Sequence, residues 1–75
     1  MLKWYPVQSG VFSRMAYRDG NIYVQFRRNG DIWVYFGMSP EMFVEFLNAP
    51  SMGRYFVKQI KGRLPSRRLT KRRSA

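Results

Sequence analysis

The chain has 75 residues with no Cys and no His. This excludes a disulfide framework, thiolate or imidazole metal sites, and the commonest general base. It carries 14 Lys and Arg against 4 Asp and Glu, a net charge of +10, so an acidic partner is expected. One domain is the most that this length allows, and its core is modest. The 13 aromatic residues are therefore its main packing material.

The opening residues Met1-Leu2-Lys3-Trp4-Tyr5-Pro6 lack the apolar stretch of a signal peptide. No apolar run reaches the roughly 18 residues of a membrane span, and the expected location is the cytoplasm. Three strands are predicted next. The first runs from about Phe12 to Arg18. The second is Asn21 to Arg27, where Ile22, Val24 and Phe26 alternate with Tyr23, Gln25 and Arg27. The third is Asp31 to Phe36. Asp19-Gly20 and Asn29-Gly30 separate them, and both pairs suit two-residue type I′ hairpin turns.

Those turns imply a register. Across Asp19-Gly20, Tyr17 faces Ile22 and Met15 faces Val24. Across Asn29-Gly30, Phe26 faces Trp33, Val24 faces Tyr35, and Tyr23 opposes Phe36. Opposed residues share a face. The predicted core face holds Met15, Tyr17, Ile22, Val24, Phe26, Trp33 and Tyr35. The open face holds Arg14, Ala16, Arg18, Tyr23, Gln25, Arg27, Ile32, Val34 and Phe36. Of these, Arg14, Arg18, Tyr23, Arg27, Ile32, Val34 and Phe36 form a candidate surface for base stacking or protein docking. The competing reading is that Tyr23 and Phe36 merely pair with each other, or lie under the segment Trp4-Tyr5-Pro6-Val7.

Two helices follow. Ser39-Pro40-Glu41 supplies a cap, a first-turn proline and a first-turn acid, and Met42, Phe43, Phe46 and Leu47 recur at helical spacing. Asn48-Ala49-Pro50 ends that helix. Ser51 caps a second, with Met52, Tyr55, Phe56 and Ile60 on an apolar stripe and Arg54, Lys58 and Lys61 on a basic one. Gly62 ends it. Residues 63–75 contain six bases and little that is apolar, so a disordered basic tail is expected. The predicted fold is α+β: a three-stranded antiparallel meander, two short helices packed on one face, and the tail. The predicted division is a domain over 1–62 and a flexible tail over 63–75.

Charge is divided along the chain. Residues 1–51 hold five bases and four acids, whereas residues 52–75 hold nine bases and no acid. The nine are Arg54, Lys58, Lys61, Arg63, Arg67, Arg68, Lys71, Arg72 and Arg73, and they are the candidate nucleic-acid contacts. Catalysis is not expected. The acids Asp19, Asp31, Glu41 and Glu45 have ordinary positions at turns and on a helix, and no serine has a visible activating base. No cofactor or metal is expected.

The segments Ile22-Tyr23-Val24-Gln25-Phe26, Trp33-Val34-Tyr35, Gly37-Met38-Ser39-Pro40 and Ala49-Pro50-Ser51-Met52-Gly53-Arg54-Tyr55-Phe56 together resemble the KTSC domain, over about residues 7 to 62. That family is named for the C-terminus of some lysyl-tRNA synthetases and includes small stand-alone bacterial and phage members. Its Tyr-x-Tyr motif stands here as Trp33-Val34-Tyr35, a departure at the first position that the core face should tolerate as packing. The resemblance implies an α+β domain and RNA binding. The expected partner is thus nucleic acid, or a nucleic-acid-handling complex of transcription or translation. The rival expectation is a phage-type regulator docking on a protein such as RNA polymerase, in the host cytoplasm if the chain is phage-encoded.

Overall fold

Asp19 and Gly20 both adopt positive φ, 53° and 78°, as a type I′ turn requires. They join strand β2 (Phe12–Arg18) to β3 (Asn21–Phe26) in the expected register, with Tyr17 opposite Ile22 and Met15 opposite Val24. The computed structural model describes residues 2–70. Its sheet has five antiparallel strands in simple sequential order. Besides β2 and β3 these are β1 (Tyr5–Pro6), β4 (Ile32–Phe36) and β5 (Ser66–Arg68). The three-stranded expectation undercounts the sheet by its two short edges.

The second hairpin differs from its predicted register. Val24 lies opposite Trp33 and Tyr23 opposite Val34, a slip of two residues from the expected pairs. Arg27 supplies the cause. Its backbone N–H donates to the Val11 carbonyl at 2.8 Å, and its guanidinium donates to the carbonyls of Ser9 and Phe12 at 3.0 and 3.2 Å. Arg27 is thereby held on the β2 side, and β3 parts from β4 earlier. The loop lengthens, with the Asn29 side chain accepting from the Asp31 N–H and Gly30 alone taking positive φ. A slip of two preserves the faces of a strand, so the core assignment survives it.

A bulge between Phe12 and Arg14 turns Phe12 onto the core face. There it is fully buried, with ring centroids 5.3 Å from Phe26, 5.7 Å from Phe46 and 5.2 Å from Phe56. The two helical segments cover this face. Helix α1 (Pro40–Leu47) starts at Ser39, whose hydroxyl accepts from the Met42 N–H, and its buried residue is Phe46. Helix α2 (Met52–Tyr55) starts at Ser51 and continues as a π-helical turn over Phe56–Ile60. The wider turn directs both Phe56 and Ile60 inward and leaves Val57, Lys58 and Gln59 exposed.

After Gly62, at φ 81°, the chain reverses onto the free side of β4. Leu64 packs against the core, and the Phe36 N–H donates to the Pro65 carbonyl at 2.9 Å. The Leu69 N–H donates to the Ile32 carbonyl at 2.8 Å. Thr70 closes the clasp: its hydroxyl donates to Asp31 Oδ1 at 3.1 Å and accepts from the Ile32 N–H at 3.2 Å. The expected disordered tail is therefore corrected over Ser66–Arg68, which is a strand. Lys71, Arg72 and Arg73 lie outside the described residues.

Two outcomes follow from this packing. Deleting residues 63–75 strips Leu64 from the core and removes the outer partner of β4, which then pairs with β3 alone, so the urea midpoint should fall by an amount equivalent to at least about 2 kcal/mol; an unchanged midpoint would show that the segment adds nothing to the fold. Tyr35, 6% exposed, has its phenol pushed up to about 12 by burial. The folded protein holds the neutral phenol, so this contribution is intact below pH 10 and is lost as pH rises from 10 towards 12. Tyr35→Phe should abolish that component of the alkaline transition in a pH-dependent urea titration.

Candidate nucleic-acid interface

The sheet face away from the helices carries aromatic, basic and small side chains in rows that cross the strands. One row runs Ala16, Tyr23, Val34, Arg67 through the observed pairings. The β1 register, Tyr5 with Met15 and Pro6 with Arg14, sets Trp4 beside Ala16 at the end of that row. Ala16 and Val34 are buried, at 0% and 2% exposure, between larger neighbours. Tyr23 is half-buried, and Arg67 is exposed.

The adjacent row holds Pro6, Arg14, Gln25 and Ile32. Arg14 is fixed from two sides. Its Nε donates to Gln25 Oε1 at 2.6 Å, and its guanidinium lies 4.3 Å from the centre of the Trp4 ring. Gln25 is fixed in turn, its amide donating to the Gly30 carbonyl at 3.0 Å. A flat cation stacked on an indole and held by an amide is a preorganised surface for a base or a phosphate. Trp4 is not among the residues expected on this surface from the sequence, where it stands only in a segment that could cover Tyr23 and Phe36. Its signal was faint, because β1 is two residues long and contains a proline.

The other predicted open-face residues divide. Arg18 ends β2, is exposed, and pairs at 3.5 Å with the still more exposed Asp19, a contact that contributes little. Ile32 is half-buried and Phe36 is 38% exposed. Phe36 lies opposite Asn21 rather than Tyr23, so the predicted Tyr23–Phe36 pair does not form. Arg27 leaves the face altogether for the carbonyls of Ser9 and Phe12. The N-terminal segment joins the sheet edge as β1 and does not lie across the face.

The C-terminal bases occupy three places. Arg54 and Lys58 are exposed on the helical side and border a shallow hollow with Ala49, Pro50 and Tyr55. Lys61 and Arg63 flank the reversal at Gly62. Arg67 reaches the open face beside Val34, whereas Arg68, opposite Trp33, belongs to the helical side. Among the described residues, no cluster of three or more His, Cys, Asp or Glu gathers as a metal site. No helix there is long and apolar enough to cross a membrane.

The stretch Ala49 to Phe56 has structural work. The Ser51 hydroxyl caps α2 by accepting from the Arg54 N–H at 3.3 Å. The Tyr55 hydroxyl donates to Glu45 at 2.9 Å, tying α2 to α1, and desolvation, then that hydrogen bond and the Glu45 charge, raise its phenol above the ordinary value. Phe56 enters the core. A Cβ at Gly53 would lie 2.9 Å from Val11 Cγ2. Trp33 and Tyr35 stack at 6.3 Å on the core side, so the altered first position of that motif is a packing residue.

The model of the KTSC domain matches residues 8–63 of this chain. The chain is also similar to the crystal structure of a KTSC domain protein from Yersinia pestis. The two are 29% identical, with a TM-score of 0.84, covering 93% of this chain and 100% of that one. A comparison with curated proteins gives no match.

The Gly53 contact yields a coupled prediction. Gly53→Ala should lower stability while Val11 is in place. In a Val11→Ala background it should raise stability by about 1 kcal/mol, the helix-propensity difference between the two residues. Urea unfolding of the four proteins in the cycle measures it, and equal effects in both backgrounds would show that the contact imposes no constraint.

Proposed function

The chain belongs to the KTSC domain family, and we propose that it is a non-enzymatic module that binds single-stranded RNA or DNA within the transcription or translation apparatus of the cytoplasm. The observation that carries this reading is the coincidence on one sheet face of the Trp4–Arg14 stack, the half-buried Tyr23 and the exposed Arg67. Aromatic rings on a sheet receive unpaired bases by stacking, and arginines beside them receive the phosphates. The faces of bases within a duplex are already stacked on one another, so an unpaired strand suits this surface better.

The charge supports the same partner. No acid occurs from residue 52 onward, so a phosphate chain leaving the face past Arg67 meets no repulsion from that part of the sequence. The protein-docking alternative relied on Ile32, Val34 and Phe36 as an apolar grip. Val34 is only 2% exposed, which leaves little of it for a partner to hold. An acid at that position would report on folding and not on docking.

Fluorescence anisotropy with a short labelled oligouridylate tests the proposal. Tyr23→Leu keeps an apolar side chain but removes the ring, and should weaken binding by about 1–3 kcal/mol. Three phosphate contacts from Arg14, Arg18 and Arg67 give a slope of log K against log salt near −2, and Arg67→Ser should reduce that slope by about 0.7. Unaltered affinity in both Tyr23→Leu and Trp4→Leu, with folding intact, would sink the reading.

A further inference from the structure

The two edges of the sheet are unlike. On one side, β1 is two residues long, and Pro6 has no N–H to offer. On the other, β5 runs from Ser66 to Arg68, all exposed, with no strand beyond it among the described residues. The hydrogen bonds to β4 decide what this edge presents. The Phe36 N–H bonds to the Pro65 carbonyl, and the Leu69 N–H bonds to the Ile32 carbonyl, with Val34 opposite Arg67 between them. Backbone groups alternate in direction along an antiparallel strand. Residues 65, 67 and 69 therefore turn theirs toward β4, while Ser66 and Arg68 turn an N–H and a C=O each to the outside.

We propose that the outer edge of β5 is a docking strand for an extended acidic peptide of another protein, which pairs with it as a sixth strand of the sheet. The chemistry of the edge selects this occupant. A peptide strand satisfies the outward donors and the outward acceptors together. A phosphate chain has acceptors only, and would leave the carbonyls of Ser66 and Arg68 facing an anion. A second copy of β5 would set arginines against arginines, and like charges directly opposed are destabilising. Arg67 extends to the open face and Arg68 to the helical face, so acids at consecutive positions of the incoming strand each meet one cation. The site lies apart from the Trp4–Arg14 stack and shares only Arg67 with that face, and the backbone pairing does not depend on the binding of bases there.

The test uses the full chain and the peptide Ac-Thr-Val-Glu-Glu-Val-Thr-NH2. Two further forms carry backbone N-methyl groups on its odd or its even residues, with charge unchanged. Amide NMR spectra should show the Ser66 and Arg68 N–H signals moving when the parent peptide is added, and their hydrogen exchange slowing. One methylated form should bind like the parent. The other should lose about tenfold or more in affinity, because its methyl groups replace the N–H groups that face β5. Exchange of both glutamates for lysine should abolish binding. Equal binding of the two methylated forms would overturn the proposal in favour of simple charge attraction, and so would absence of binding by the parent. Movement of the same two amides on dilution of the protein alone would assign the edge to a second copy. Because Arg67 also serves the proposed nucleic-acid face, shifts alone do not decide here; equal slowing of exchange at both amides by oligouridylate would assign the edge to phosphate. Either result would overturn the peptide assignment. Because the peptide carries every change, no outcome depends on a variant that fails to fold.

Discussion

Phe12 is the point at which the sheet and both helical segments meet. Its ring touches Phe26 from the neighbouring strand, Phe46 from α1 and Phe56 from the π-helical turn. A short chain without disulfide or metal depends on such contacts, since its core is small and the conformational entropy opposing folding is not. Aromatic rings supply large buried area per ordered residue, with favourable edge-to-face geometry. The bulge before Arg14 makes this possible. Without it Phe12 would share the face of Arg14, and the helices would close over a strand end with no ring to pack against.

The same bulge shapes the other side of the sheet. By re-aiming Phe12 it separates the core pattern from the open-face pattern within a single strand, so that Arg14 and Ala16 remain with Tyr23 and Gln25. Arg27 completes the arrangement from the far end. Its hydrogen bonds to Ser9 and Phe12 hold the strand that leads into the bulge. It is a charged residue used as a clamp on backbone carbonyls, which explains its absence from the open surface. The stacked Trp4 and Arg14 thus rest on a region fixed from beneath by Phe12 and from the side by Arg27.

Much of this was legible in the sequence. Asp19-Gly20 specified the first hairpin, because both residues need positive φ, and strict alternation specified the core faces of the strands. The helix caps at Ser39 and Ser51 were equally plain. The register after Asn29-Gly30 was not, because Arg27 is recruited by residues distant in sequence and turn chemistry alone cannot express that. The bulge escaped for a related reason: Phe12 reads as one more position in an alternating strand. β1 and β5 lacked any periodic signal, being two and three residues long. Trp4 was missed with β1. Arg67 and Arg68 were assigned to a tail because local composition favoured disorder, whereas Leu64, Thr70 and the free edge of β4 supply order from outside the segment.

Basic composition and strand structure are not in conflict in β5. An exposed edge invites pairing with copies of itself, and cationic side chains are a common defence against it. Arg67 and Arg68 perform that defence on both faces of the strand at once. The same charges remove the barrier for a strand of opposite sign, since the backbone groups of Ser66 and Arg68 remain directed outward. Repulsion of its own kind and attraction of an acidic strand are thus one electrostatic property of a single short edge. Within the C-terminal concentration of charge, which in the sequence looks like a diffuse attraction for anions, Arg67 and Arg68 acquire in the fold a direction, a spacing and a pattern of neighbouring donors and acceptors.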